Sequence, residues 1–231
     1  EELGDKSGIS LAMSNIGMVY NINKCDFDKA LDYLEKSLKI QEELGDKVVM
    51  GNSLNNIGVV HRNKGDYDKA LDYYGRALAI REELGNKRGI GNILNSIGVA
   101  HDNKGDYDKA LEHYSMSLII REELGDKSRM GQSLYNIGNI HFDKGDYDKS
   151  LDYRKRSLEI FEGLGDNRGM GYSLNNIGVV HANKGDYDKA LDCYSRSLTI
   201  REELGDKRGM GYSLTNIGYL YADKGDYNKA E

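Results

Sequence analysis

The sequence contains no proline and no tryptophan, and only two cysteines among 231 residues. Without proline, the breaks between elements fall to glycine, and 28 glycines are far too many for a helical protein unless each has a fixed place. Cys25 and Cys193 stand in unrelated stretches and form no metal or redox spacing, which fits reduced thiols better than a disulfide. No apolar run approaches the roughly 18 residues that a membrane-spanning helix needs, so none is expected. No secretory signal is visible, although the chain begins inside its own repeating pattern. Basic residues are also short: 32 Lys and Arg against 38 Asp and Glu leave a net charge of -6. That balance argues against nucleic acid, whose binding rests on neutralised phosphates. These features point to a cytoplasmic protein with no membrane contact.

Charged residues make up 30% of the chain and hydrophobic ones 39%. Such a mixture signals disorder only when the apolar residues are sparse and unpatterned. Here they are patterned. Gly58, Gly98, Gly138, Gly178 and Gly218, each in an Ile-Gly pair, are 40 residues apart, and Gly17 precedes Gly58 by 41. The extra residue falls in the turn Asn21-Ile22-Asn23-Lys24-Cys25. A second landmark, Gly-Asp-Tyr-Asp-Lys, opens at Gly65, Gly105, Gly145 and Gly185, with a variant at Gly225. The chain is thus a repeat array, with units of approximately 5–44, 45–84, 85–124, 125–164, 165–204 and 205–231 forming one domain.

Each unit reads as two antiparallel helices, A and B. In the second unit Leu54, Ile57, Gly58 and His61 follow the i, i+3, i+4, i+7 spacing of one helix face. Lys64-Gly65 breaks that helix, and Asp66 is placed to cap the next one. Asp68 in the first turn complements the helix dipole. Helix B carries Ala70, Leu71, Tyr74, Ala77 and Leu78 inward and ends at Leu84-Gly85, where glycine supplies the left-handed terminus. The glycine inside helix A costs about 1 kcal/mol relative to alanine. Close approach of helix A to helix B, with the small Ala70 opposite, is the physical reason to accept that cost.

This pattern resembles the tetratricopeptide repeat family, on Leu54, Ile57-Gly58, His61, Ala70, Tyr74 and Ala77, and the resemblance runs along the whole chain. It implies an all-α, right-handed superhelical solenoid of helix-turn-helix units, with helix A lining the concave side. The sequence departs from the family in three ways. His61, His101, His141 and His181 replace an aromatic that Tyr20 and Tyr221 keep; the closing proline is absent, with Glu82 in its place; and the period is 40 against the usual 34. The longer form is similar to repeats of Pins/LGN spindle adaptors, kinesin light chains and bacterial signalling proteins. Arg154 stands where an aromatic is expected. Glu1-Glu2-Leu3-Gly4 reads as the tail of a preceding helix B, and Glu231 stops a few residues into the last one. Neither end has a polar capping face, which points to a fragment of a longer array or to one with disordered flanks.

The resemblance makes the outward face of helix A the expected binding surface. Those positions are Asn52, Asn56, Val59 and Asn63; Asn92, Ser96, Val99 and Asn103; Gln132, Asn136, Asn139 and Asp143; Tyr172, Asn176, Val179 and Asn183; and Tyr212, Asn216, Tyr219 and Asp223. Amides offer a donor and an acceptor each, which suits an extended backbone, and the tyrosines add apolar area with a polar tip. A second reading has these amides bridging neighbouring A helices. Arg62 is the chief basic residue near the row, so a clamp for a terminal carboxylate is not expected.

Other chemistries find little support. One histidine per unit cannot converge on one metal, because packed helices lie roughly 8–10 Å apart while ligands need about 2 Å. Asp102 to Asp108 lacks the glycine and glutamate of a calcium loop. Gly205 to Gly211 has no preceding strand and no following Lys-Ser/Thr. Arg81-Glu82-Glu83 reads as a solvated face of alternating charge. No catalytic set and no cofactor are expected. The function that remains is a scaffold gripping a protein or an extended peptide. A spacer that self-associates end to end through its uncapped termini, or the sensor of a larger signalling protein, are the rival readings.

Overall fold

The architecture follows from how each turn is terminated. A computed structural model describes residues 2–223 and 225. Its helices are α1 (Glu2–Val19), α2 (Phe27–Leu44), α3 (Lys47–Lys64), α4 (Tyr67–Glu83), α5 (Lys87–Lys104), α6 (Tyr107–Glu123), α7 (Lys127–Asp143), α8 (Tyr147–Leu164), α9 (Asn167–Asn183), α10 (Tyr187–Glu203) and α11 (Lys207–Asp223). No strand occurs among the described residues. Odd-numbered helices are the A helices and even-numbered ones the B helices. The chain divides into two compact units, residues 1–120 and 121–231, each described by itself.

Glycine ends the hairpin arms after the first. Gly65 adopts φ +89°, a left-handed conformation closed to most side chains. It lets the Gly65 amide donate to Arg62 O at 3.0 Å and the Asp66 amide to His61 O at 2.9 Å, satisfying carbonyls that the helix end leaves open. The first repeat solves the same problem with one residue more. Tyr20–Lys24 forms a π-helical turn, Cys25 takes the left-handed place at φ 50°, and the Asp26 amide reaches back to Tyr20 O at 3.1 Å. Tyr20 and His61 hold the same repeat position, so the extra residue is absorbed without shifting the hairpin.

Helix α1 runs from Glu2 through Gly4 to Val19. One capping expectation is corrected. Asp66 occupies an N-cap position, yet its carboxylate accepts no bond from α4. It faces His61 Nδ1 at 3.4 Å instead. Asp46, Asn86 and Asp166 do cap their helices, accepting from Val49, Gly89 and Gly169 amides at 3.1, 2.9 and 2.9 Å. The start of the sixth helix B lies outside the described residues.

Inside each hairpin the interior glycine meets a ring. A Cβ at Gly58 would lie 2.6 Å from the Tyr74 ring, and Gly98 and Gly178 repeat this against Tyr114 and Tyr194. The close approach is therefore to the aromatic of helix B, more than to Ala70. Tyr74 is fully buried beside Ala30, Ile57, Val60 and Ala77, and burial pushes its hydroxyl up to about 12. In the fourth repeat Arg154 fills the aromatic's place. It is buried under Gly138, with its guanidinium 5.8 Å from the Tyr135 ring centre and 5.4 Å from that of Phe142. Helix-B serines tie the layers further: Ser117, Ser157 and Ser197 Oγ donate to the carbonyls of Gly91, Gly131 and Gly171 at 2.7–2.8 Å.

The histidines pack as rings with a polar edge. His61 stacks on Tyr73 at 5.4 Å and His141 on Tyr153 at 5.4 Å. Burial holds the His101 and His141 imidazoles below their usual range, opposed in each by the neighbouring Asp106 or Asp146.

Three substitutions test these contacts by urea denaturation. Gly58→Ala should lower stability by about 1–2 kcal/mol, because overpacking outweighs alanine's helix propensity. Gly75→Ala, where a Cβ meets nothing, should raise it. A stabilising Gly58→Ala would refute the ring contact. Cys25→Gly should stabilise the chain by about 1 kcal/mol by relieving the left-handed position.

Candidate binding face on the A helices

The outward positions of helix A form the candidate site, because the opposite face is spent on the core. Asn52, Asn63, Asn92, Asn103, Gln132, Tyr172, Asn183, Tyr212 and Tyr219 are exposed, Tyr219 to 69%. Asn56, Asn136, Asn139, Asn176 and Asn216 are half-buried. The predicted face therefore lies at the surface, but part of its hydrogen-bonding capacity is used internally. Asn56 Nδ2 donates to Ser14 Oγ at 3.5 Å and Asn63 Nδ2 to Asn21 Oδ1 at 3.1 Å, tying α3 to α1 and to the π-helical turn that follows it. Asn216 Nδ2 donates to Asn175 Oδ1 at 3.2 Å, tying α11 to α9. Asn176 and Asn183 donate to the carbonyls of Tyr172 and Val179 in their own helix at 2.7 and 2.9 Å. The row both bridges neighbouring A helices and faces solvent.

A second row, three residues further along helix A, was not singled out from the sequence. Asn55 and Tyr135 line clefts between successive A helices. Asn175 accepts from both Ser213 and Asn216. The signal was available in principle, since i+3 neighbours share a helix face.

The larger omission is on helix B. Arg81-Glu82-Glu83 does not form a uniformly solvated face: Arg81 is buried, as are Arg121 and Arg201 at the same repeat position. Each reaches beneath a seam between A helices and donates there to amide, carbonyl or hydroxyl oxygens. Arg81 Nη2 donates to Asn52 Oδ1. Arg121 Nη1 donates to Arg129 O at 2.8 Å and to Ser133 Oγ at 2.5 Å. Arg201 Nη1 donates to Gly209 O and to Ser213 Oγ, and its guanidinium lies 5.2 Å from the Tyr172 ring centre. Gly51 and Gly89 make room for Arg81, since a Cβ at either would crowd its side chain. Burial pulls the Arg121 guanidinium down to about 10. Arg62 is not the main basic group near the row. A cleft of about 350 Å³ in the first unit is lined by Arg81 and Arg88 together with Asn52, Asn55 and Asn92.

Its counterpart in the second unit, of about 440 Å³, has different chemistry. Each of its lining positions is 80 residues on from one in the first cleft, yet Phe161 replaces Arg81, Tyr135 replaces Asn55 and Tyr172 replaces Asn92. The aromatic ring in place of a guanidinium leaves this cleft without a basic lining group.

The hairpin geometry and its repeat match a known family model, described as tetratricopeptide repeat, over residues 8–83, 49–123, 89–163 and 169–231. The chain belongs to the tetratricopeptide repeat family. Solved structures agree on the fold of this tetratricopeptide array. It resembles BtubC (BKLC) from P. vanneervenii at 23% identity and a TM-score of 0.79, covering 88% of this chain and 86% of that one. A second likeness is a signal transduction ATPase with numerous domains and a tetratricopeptide repeat sensor, from Pyrococcus horikoshii. Identity there is 17% and the TM-score 0.80, covering 92% of this chain and 32% of that one. A Rap protein complexed with competence and sporulation factor matches at 18% identity and a TM-score of 0.71, over 94% and 71% of the two chains. No curated protein matches the sequence.

Among the described residues, no helix of this tetratricopeptide array is long and apolar enough to cross a membrane, and none of its His, Cys, Asp and Glu side chains group as a metal site would require. Its repeat glycines, rings and caps serve the scaffold, whereas the A-helix face and the residue beneath each seam vary from repeat to repeat. Arg201→Ala should destabilise the second unit by about 3 kcal/mol, through lost packing and two lost charge-assisted bonds. Thermal unfolding measures it, and a change within 0.5 kcal/mol would show that the buried guanidinium is dispensable.

Proposed function

We propose that this protein is an interaction module that holds an extended segment of a partner protein along the outward faces of its A helices. The supporting observation is that one repeat position is polar and exposed in each unit, Asn52 and Asn92 in the first and Gln132, Tyr172 and Tyr212 in the second. Within either unit, such amides and phenols can pair with the N–H and C=O groups of an extended backbone that would otherwise lose its hydrogen bonds to water. The row also contains Asn56, Asn63, Asn103, Asn136, Asn139, Asn176, Asn183, Asn216 and Tyr219. Since Asn56, Asn63 and Asn216 bridge A helices, their role in this reading is to hold the face rigid, which lowers the entropy cost of binding. The structural neighbour complexed with competence and sporulation factor is a precedent for a ligand-binding protein on this fold. The acidic net charge favours neutral or basic partners and disfavours nucleic acid. No catalytic role or cofactor is part of this reading, and the family's scaffolds are generally non-enzymatic.

A second reading, the sensor part of a larger signalling protein, draws on the neighbour that carries a tetratricopeptide repeat sensor. In that case binding on the same face would be relayed to an effector. A self-stacking spacer would need no ligand and would associate with rising concentration.

The test is a peptide selected on this protein from a random display library. Replacing the exposed Asn92, Asn103 and Gln132 together by alanine should weaken that peptide at least about tenfold, with the far-ultraviolet circular dichroism unchanged. Equal affinity in the triple variant, with helicity preserved, would refute the A-helix reading.

A further inference from the structure

The seam residue of helix B carries the argument. In the second unit, Arg121 and Arg201 each donate to a buried serine hydroxyl of the following A helix, Ser133 at 2.5 Å and Ser213 at 3.3 Å. Ser173 holds the same repeat position between them. It is 1% exposed, and its Oγ has no hydrogen-bond partner. The residue beneath it is Phe161, whose ring has no donor to offer. Burying a hydroxyl unpaired is costly, so the exchange of Arg for Phe leaves a buried acceptor at the floor of an open cleft.

The walls of that cleft fit the same group that its neighbours use internally. Tyr135 and Tyr172 flank it and Phe161 lies beneath, within a volume of about 440 Å³. Asp166 is the one charged side chain in the lining. Its Oδ1 accepts from the Gly169 amide at 2.9 Å, which fixes the carboxylate in place. The molecule itself shows how a guanidinium sits on such a ring, since Arg201 lies 5.2 Å from the centre of Tyr172. Arg201 and Arg154, the latter 5.8 Å from Tyr135, oppose a further cation. Tyr172 is half exposed, so water screens that repulsion, whereas Asp166 lines the cleft itself.

We propose that the cleft over Phe161 takes the guanidinium of an arginine side chain on the partner segment, stacked on a tyrosine face, donating to Ser173 Oγ and neutralised by Asp166. The partner thereby supplies what Arg121 and Arg201 supply elsewhere in the same unit. Arginine is preferred to lysine because a planar, delocalised cation stacks and donates at once. The first unit provides an internal contrast: its equivalent cleft holds Arg81 and Arg88 and no carboxylate, so it repels a cation. The chain's net charge of -6 agrees with a basic partner.

This inference rests on the A-helix face being the peptide surface, and the experiment separates the two. The full chain is titrated at low salt with the capped tripeptide acetyl-Gly-Arg-Gly-amide and with its citrulline counterpart, an uncharged isostere. The ring protons of Phe161, Tyr135 and Tyr172 are followed by nuclear magnetic resonance. Arginine should shift them at a concentration about tenfold below citrulline, with the lysine tripeptide between. Phe161→Arg, which copies the other repeats, should abolish the shifts, and Asp166→Asn, which keeps a cap of the kind Asn86 makes, should reduce arginine to the level of citrulline. Equal response to arginine and citrulline, no response, or shifts that survive Phe161→Arg would each overturn the proposal. A tripeptide is too short to use the amide row, so arginine shifts would stand even if the row held no longer peptide. A display-selected peptide sensitive to the amide variants but indifferent to Phe161→Arg would keep the A-helix reading and sink this one.

Discussion

The contact between the interior glycine of helix A and the ring of helix B sets the spacing on which each of these hairpins depends. Gly58 admits Tyr74 to 2.6 Å from where a Cβ would stand, and the same arrangement recurs at Gly98 and Gly178. Two helices can approach this closely only if one surrenders a side chain, and the large ring then fills the hairpin interior at native density. Once the hairpin is set, the left-handed glycine at its turn and the capping side chain immediately ahead of the next helix fix where the chain reverses. Local geometry is repeated, so stability accumulates repeat by repeat and no central core is required.

Variation is confined to positions that this frame leaves open. The first repeat absorbs an additional residue in a π-helical turn and still places its terminating bond on Tyr20 O. The fourth replaces the packing aromatic by Arg154, whose stem fills the interior while its charge rests between Tyr135 and Phe142. Most consequential is the end of helix B. A buried guanidinium costs desolvation, which Arg121 and Arg201 offset with carbonyl and hydroxyl acceptors. Exchanging that residue for Phe161 removes a charge, frees an acceptor and opens an aromatic cleft, all without disturbing the helices.

The helices and turns were legible in the sequence because they follow from short-range rules. Gly65, Leu54 and Asp46 act on residues within a few positions of themselves. The outward face was legible for the same reason: once Leu54, Ile57 and His61 point inward, Asn52 and Asn63 must point out. What those amides do was not legible. Asn56 and Asn63 spend donors on Ser14 and Asn21, about one repeat earlier in the chain, and Asn176 turns back on its own helix. The first depends on how neighbouring hairpins stack, and the second on a rotamer choice that spacing does not reveal.

Arg81 shows the limit most clearly. Followed by two glutamates on a charged helix end, it reads as solvated, yet it is buried against Gly51 and Gly89. By itself the sequence determined the repeat, its helical hairpins, their termini and the face turned away from the core, since each is set by periodicity and backbone preference within one unit. Only the tertiary structure decided which charges are buried and which clefts open between A helices. Those depend on side chains from different hairpins meeting across a seam, and no periodicity along the chain encodes which of them will meet.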